Sequence, residues 1–195
     1  MLTGEQLIPR LAELYDTIDS TYKAAIDQAG FSCAGCDGVK CCTVDLVLHT
    51  SIEMLYLRRG FNTLEPHIRT QIAQRSDRIV RYKRQNPLGE EYRSAVCAAN
   101  FDGLCSLYRH RPMICRLAGI PHIIFRPDGR AVESGGCTRY EQDIRPGCPG
   151  LQLDRTPFYR ELARMEMEMI EARGSRTPAR TIAEVLAGNS EHFLF

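Results

Sequence analysis

Cys33-Ala-Gly-Cys36-Asp-Gly-Val-Lys-Cys41-Cys42 is the stretch around which the rest of the chain reads. Four thiols fall within ten residues, with Gly35 and Gly38 between them. Glycine tolerates positive φ and lets a backbone close around whatever it encloses. Thiolates are the preferred ligands of zinc and of iron–sulfur clusters. Adjacent side chains on extended backbone point to opposite sides, so Cys41 and Cys42 are better suited to serve two centres than one. Five further cysteines follow, Cys97, Cys105, Cys115, Cys137 and Cys148, and all nine are candidate metal ligands. Their number suffices for two [4Fe–4S] clusters, for two zinc ions, or for one site with spare thiols. The clustered loop favours iron–sulfur ligation, with zinc as the alternative.

Composition sets the context. The chain of 195 residues is expected to form one domain with helical additions. It is 44% apolar, without a run of about 18 apolar residues that would span a membrane. Its N-terminus lacks the basic start and apolar stretch of a signal peptide, so a cytoplasmic location is expected. There, nine cysteines read as metal ligands or redox thiols rather than disulfides. The net charge of +1 gives no general attraction to nucleic acid or anionic membrane. A thioredoxin-type role for Cys33-x-x-Cys36 is disfavoured, because that motif needs a strand–turn–helix setting and here a helix precedes it.

Working outward, residues 5–29 carry Leu7, Leu11, Leu14, Ile18, Tyr22 and Ile26 at helical spacing, with Pro9 near the start and Gly30 as a stop. Val44, Leu46 and Leu48 alternate like a short strand. Thr50-Ser-Ile-Glu53 is a capping box opening a helix expected to end at Gly60. A further helix is expected over 63–85, broken by Asn86-Pro-Leu-Gly89, and its six basic residues from Arg69 to Arg84 read as a solvated face.

Asp102-Gly103 marks a turn between Cys97 and Cys105, and residues 120–133 read as a hairpin around Arg126-Pro-Asp-Gly129. Gly135-Gly-Cys137 and Pro146-Gly-Cys148-Pro-Gly150 are tight turns, each presenting a thiol as a lid over the same site. Thr156-Pro157 and Thr177-Pro178 are expected to open the two tail helices, which end at Gly174 and Gly188. The tail methionines 165, 167 and 169 alternate faces and read as filler.

A four-thiolate zinc or cubane site carries a net charge of about −2, which must be compensated when buried. Arg111 and Arg116 flank the thiols and are the candidates to face sulfur or a bound anion; Arg109 is a weaker one. The histidines at 49, 67, 110, 122 and 192 lack metal-ligand spacing.

The pattern Cys-x-x-Cys-x4-Cys-Cys, followed by Gly103-x-Cys105-Ser106-x-Tyr108-x-x-Arg111-Pro112-x-x-Cys115-Arg116, resembles the YkgJ-like cysteine-cluster family of zinc- or iron-chelating domains. The resemblance covers about residues 31–150. It implies metal chelation by about eight cysteines, with either Cys137 or Cys148 closing the set. The family includes flagellin lysine N-methylases, so the resemblance also implies S-adenosylmethionine-dependent protein methylation as an alternative function. The expected fold is α+β, predominantly helical, with a small irregular β element around the metal. Residues 1–30 would form an N-terminal helix, 31–150 the cysteine-cluster domain, and 151–195 C-terminal helices packed on it. The roles open to such a protein are electron transfer, redox sensing, part of a modifying system, or, with zinc, a module that binds a protein partner.

Overall fold

The computed structural model describes residues 4–30, 42, 47–86, 96–148 and 150–188. The loop of Cys33, Cys36 and Cys41, most of the expected strand, and residues 87–95 lie outside them. The fold is predominantly helical α+β.

Helix α1 spans Gly4–Gln28 and runs straight through Pro9. An interior proline costs about 3 kcal/mol, but Leu7, Ile8 and Leu11 bracket it and are all buried. Each fully buried aliphatic side chain contributes about 1.5–3 kcal/mol, so packing outweighs the lost hydrogen bond. Gly30, at φ 61°, follows the helix end.

Helix α2 spans Ser51–Asn62 and has the expected capping box at Thr50 and Glu53. It continues two residues past Gly60, which is no stop. A Cβ there would lie 2.2 Å from Cγ of His110, so glycine admits the imidazole against the helix backbone. Helix α3, Pro66–Gln85, follows as expected.

Strands β1 (Asn100–Phe101) and β2 (Leu104–Cys105) form a minimal hairpin across Asp102 and Gly103. Both turn residues have positive φ, 50° and 82°, the conformation that suits a two-residue loop to the twist of its strands. The short helix α4, Met113–Arg116, comes next. Strands β3 (His122–Phe125) and β4 (Ala131–Ser134) form the second hairpin. A short strand β5, Leu153–Asp154, adds in parallel to β3, an element that its two residues did not announce.

Helix α5 spans Thr156–Arg173 and ends at Gly174, φ 71°. Its N-cap is Arg155 rather than Thr156, because the Thr156 hydroxyl accepts from Phe125 N at 2.9 Å and so serves β3. Helix α6, Ile182–Leu186, is opened by a capping box of Thr181 and Glu184 and not by Thr177-Pro178. Arg180 instead pairs with His49 in an isolated antiparallel bridge. That bridge is the only β pairing among described residues 47–50. Leu48, the described end of the expected strand, is exposed.

Two apolar clusters result. The first joins Leu7, Leu11, Tyr15 and Ile18 of α1 to Ile52 and Leu55 of α2 and to Leu162, Met165 and Met169 of α5. The second joins Met54, Leu57 and Phe61 on another face of α2 to Ile72 of α3 and Ile182, Val185 and Leu186 of α6. Met165 and Met169 are core and Met167 is exposed, so the methionines are filler as expected.

Candidate metal centre

Three of the six described cysteines, Cys97, Cys105 and Cys115, pack against the second cluster, and Cys42 acts electrostatically on two of them. The Cys97 amide donates to the Cys42 carbonyl at 2.7 Å, tying the two chain segments together. From Cys97 the chain turns into the β1–β2 hairpin, where Asn100 Oδ1 accepts from Gly103 N at 3.1 Å. Arg75 of α3 holds this hairpin: it donates to the Asn100 carbonyl at 2.5 Å and lies 4.8 Å over the Phe101 ring. One member of the expected solvated face is thus a structural clamp. Cys105 ends β2, and Ser106 folds back to donate from its amide and its hydroxyl to the Ala99 carbonyl.

Cys115 sits on α4, whose Met113 and adjoining Leu117 join the first cluster while Cys115 packs on the second. The first two lie four residues apart on one helical face, and Cys115 is on the other. Burial pushes the Cys115 thiol well above its ordinary value, and Cys97, Cys105, Glu53 and Cys42 raise it further. Cys105 is also raised, by burial first; the Leu107 amide offsets this, Cys42 adds to it and Arg111 opposes it. Cys42, Cys97 and Cys105 therefore act electrostatically on Cys115 or on each other.

These four are soft, half-buried donors, and such a donor set suits zinc or an iron–sulfur cluster. Among the described residues, however, no three His, Cys, Asp or Glu side chains converge closely enough to hold a metal ion as they stand. Binding would require the thiols to lose their protons and draw together, since thiolate is the ligand. Cys33, Cys36 and Cys41 lie outside the described residues.

Cys137 packs against the first cluster, and Cys148 acts electrostatically on that cluster's buried Tyr140. They flank a π-helical turn, Tyr140–Ile144. The Cys137 amide donates to the Gly119 carbonyl at 2.9 Å, and its sulfur accepts from Tyr140 N at 3.4 Å. Gly136 is required there, because a Cβ would meet the buried Tyr140 ring at 2.6 Å. The Cys148 amide caps the turn by donating to the Ile144 carbonyl at 3.0 Å. Cys148 lies near enough to raise the Tyr140 hydroxyl, after burial.

The two arginines face α1. Arg116 is buried, with Nη1 donating to Asp19 Oδ2 at 2.5 Å, Nε donating to the Arg111 carbonyl, and Nη2 donating to the Arg109 carbonyl. Its guanidinium also lies 4.0 Å over the Tyr15 ring. Arg111 reaches Asp19 Oδ1 at 3.2 Å and lies over Tyr108 at 3.6 Å. Arg116 thus fixes the 109–111 loop to α1, while Arg111 is the guanidinium whose charge acts on a thiol.

Glu53 was visible in the sequence only as a capping residue. It is 4% exposed, and Oε1 accepts from Met113 N at 2.9 Å and from Tyr15 OH at 3.3 Å. Oε2 accepts from Thr50 N and Thr50 Oγ1. One carboxylate thereby joins α1, α2 and the cysteine helix. Asp19 was also missed, although its place one turn from Tyr15 puts it on the inner edge of the α1 stripe. His110 stacks on Tyr56 at 4.9 Å, and burial lowers its pKa.

In comparisons with protein-family models, curated proteins and solved structures, nothing matches the chain. Among the described residues, no helix is long and apolar enough to cross a membrane.

Proposed function

We propose that the chain is a metal-binding protein whose cysteine thiolates hold one or two iron–sulfur clusters of the [4Fe–4S] type. The observation that carries this reading is the packing of Cys97, Cys105 and Cys115 on one apolar cluster, with the Cys97 amide bonded to the Cys42 carbonyl. As ligands these four supply a complete four-sulfur set. When bound, the cluster supplies one-electron redox chemistry, fitting electron transfer, redox sensing or a place in a modifying system.

The residues that would hold it are Cys42, Cys97, Cys105 and Cys115, with Cys33, Cys36 and Cys41 as sequence candidates. Cys137 and Cys148 are candidates for a second centre. Arg111 supplies compensating positive charge beside Cys105, and Arg116 holds its loop in place. The YkgJ-like resemblance, a cytoplasmic location and a methylase-like activity using S-adenosylmethionine belong to this proposal through the sequence motifs alone. Zinc in the same thiolates is the second reading. It is favoured by the way Cys97 and Cys115 sit on separate chain segments that a metal would staple, and the surface would then serve a protein partner.

Purification without oxygen, followed by iron, sulfide and zinc determination, separates these readings. About four irons and four sulfides per chain are expected for one cubane and about eight of each for two. Zinc without sulfide would establish the second reading. A chain free of all three after reconstitution would contradict both.

A further inference from the structure

Charge is unevenly distributed along the chain, and helix α3 holds the excess. Its 20 residues include six basic side chains and one acid, Asp77. Taken out of the 25 basic and 24 acidic residues of the whole chain, they leave 19 against 23. The net charge of +1 thus conceals a basic helix on an acidic remainder.

The helix sorts these charges by face. Ile72 and Ser76 are buried, and Ile68 and Ile79 pack against the second apolar cluster. On the flanks, Arg75 donates to the Asn100 carbonyl and Lys83 pairs with Glu184 at 3.3 Å. Asp77 lies toward the end of α6, where its Oδ2 would meet a Cβ on Gly188 at 3.4 Å. What remains outward is His67, Gln71, Gln74, Arg78, Arg81 and Gln85, spaced by three and four residues and all exposed. No acid and no apolar side chain interrupts that stripe. Arg84, also exposed, widens its C-terminal end. Arg78, Arg81 and Arg84 pair with no carboxylate among the described residues, and Arg81 uses only Nε, donating to the Asp77 carbonyl at 3.3 Å.

Three arginines within about 9 Å of helix present forked donors that suit phosphate oxygens. The glutamine amides beside them are neutral donors that phosphates also accept. A docking protein needs an apolar or aromatic anchor at the centre of its contact, and the stripe has none. Single strands are held by stacking on aromatic side chains, and the stripe offers no Phe, Tyr or Trp. A helix of about 10–12 Å diameter matches the B-DNA major groove of about 12 Å, whereas the RNA duplex groove is too narrow. We propose that the outer face of α3 binds duplex DNA through the phosphates that line its major groove, without reading sequence. None of these residues is a thiol ligand, so the surface stands whether or not the cysteines hold metal.

Fluorescence anisotropy of the full chain with a labelled DNA duplex of about 20 base pairs, at about 50 to 200 mM salt, tests this. Saturable binding is expected, with log K falling against log salt at a slope of about −2.7, from about −0.9 for each of three arginines. Arg81→Gln, an exposed change that spares the core, should reduce that slope by about one and weaken binding several-fold. Changing Arg78, Arg81 and Arg84 together to Gln should abolish binding. Poly-L-glutamate and an RNA duplex of the same sequence should compete about tenfold or more weakly than unlabelled DNA. Absence of saturable binding up to about 100 μM chain, the weak end of non-specific DNA affinity, would overturn the proposal. So would a triple variant that binds as the parent does. Equal competition by poly-L-glutamate would overturn it in favour of an acidic protein, and equal competition by the RNA duplex in favour of RNA.

Discussion

The Cys115 neighbourhood and the Cys137–Cys148 turn are both thiol-bearing, yet they use sulfur differently. Around Cys115 the backbone is satisfied by other groups: Glu53 takes the Met113 amide and Ala99 takes Ser106. There the Cys105 sulfur accepts from the Leu107 amide, and burial with neighbouring thiols raises Cys105 and Cys115. At Cys137 the sulfur itself accepts from the Tyr140 amide, and the turn closes around a buried tyrosine. A thiol that finishes a backbone turn contributes to folding without metal. Neighbouring thiols raised by burial and by one another, as Cys105 and Cys115 are, gain most from metal, because coordination replaces their protons. The nine cysteines are therefore not equivalent.

The comparison breaks first at Glu53. Glu53→Ala strands the Met113 amide and the Tyr15 hydroxyl, two buried donors, and leaves Thr50 without its reciprocal cap. The expected loss is about 3 kcal/mol or more, read by urea unfolding of the full chain. Amide exchange should rise at α4 before it rises at the Tyr140–Ile144 turn. Equal opening of both would mean that Glu53 supports the fold at large rather than the Cys115 side.

Arg116→Ala is the next test. It removes the Asp19 pair, two carbonyl contacts and the stacking on Tyr15. Asp19 is 39% exposed, which screens the ion pair, so a cost of about 1–2 kcal/mol is expected. Metal affinity should fall with it, since the 109–111 loop carries Arg111. Unchanged metal affinity would reduce Arg116 to a brace.

An effect visible only on acidification belongs to the other side. His122 on β3 is buried, and burial followed by Arg155 pushes its pKa from 6.5 down to about 4. A base whose folded pKa is depressed contributes stability that is full above pH 6.5 and lost as pH falls through about 4. His122→Gln should flatten the decline in melting temperature over that interval. Part of the slope should persist, because His49 is depressed as well. A variant with the full parental slope would show that His122 does not drive the acid response.

Local patterns were legible in the sequence where a short-range rule decides them. The Thr50–Glu53 box, the Asp102-Gly103 turn, the α1 stripe and the 122–134 hairpin all rest on contacts within a few residues. What could not be read depends on distant partners. Gly60 looks like a stop until His110 arrives against it. Thr156 looks like a cap until β3 claims its hydroxyl, and Thr177-Pro178 like a helix start until Arg180 pairs with His49. The cysteines were visible as ligand types, but their sorting into two neighbourhoods required the two apolar clusters. Arg111 and Arg116 were legible as residues beside the thiols, whereas their shared partner Asp19 lies about ninety residues away on α1.

The central claim is tested most directly by metal content in Cys115→Ser beside Cys137→Ser, both purified without oxygen. The account predicts that Cys115→Ser loses the metal of its centre, halving the content if there are two centres and abolishing it if there is one. Cys137→Ser should leave that centre filled. Full iron or zinc stoichiometry in Cys115→Ser, in a variant that still folds, would contradict the claim.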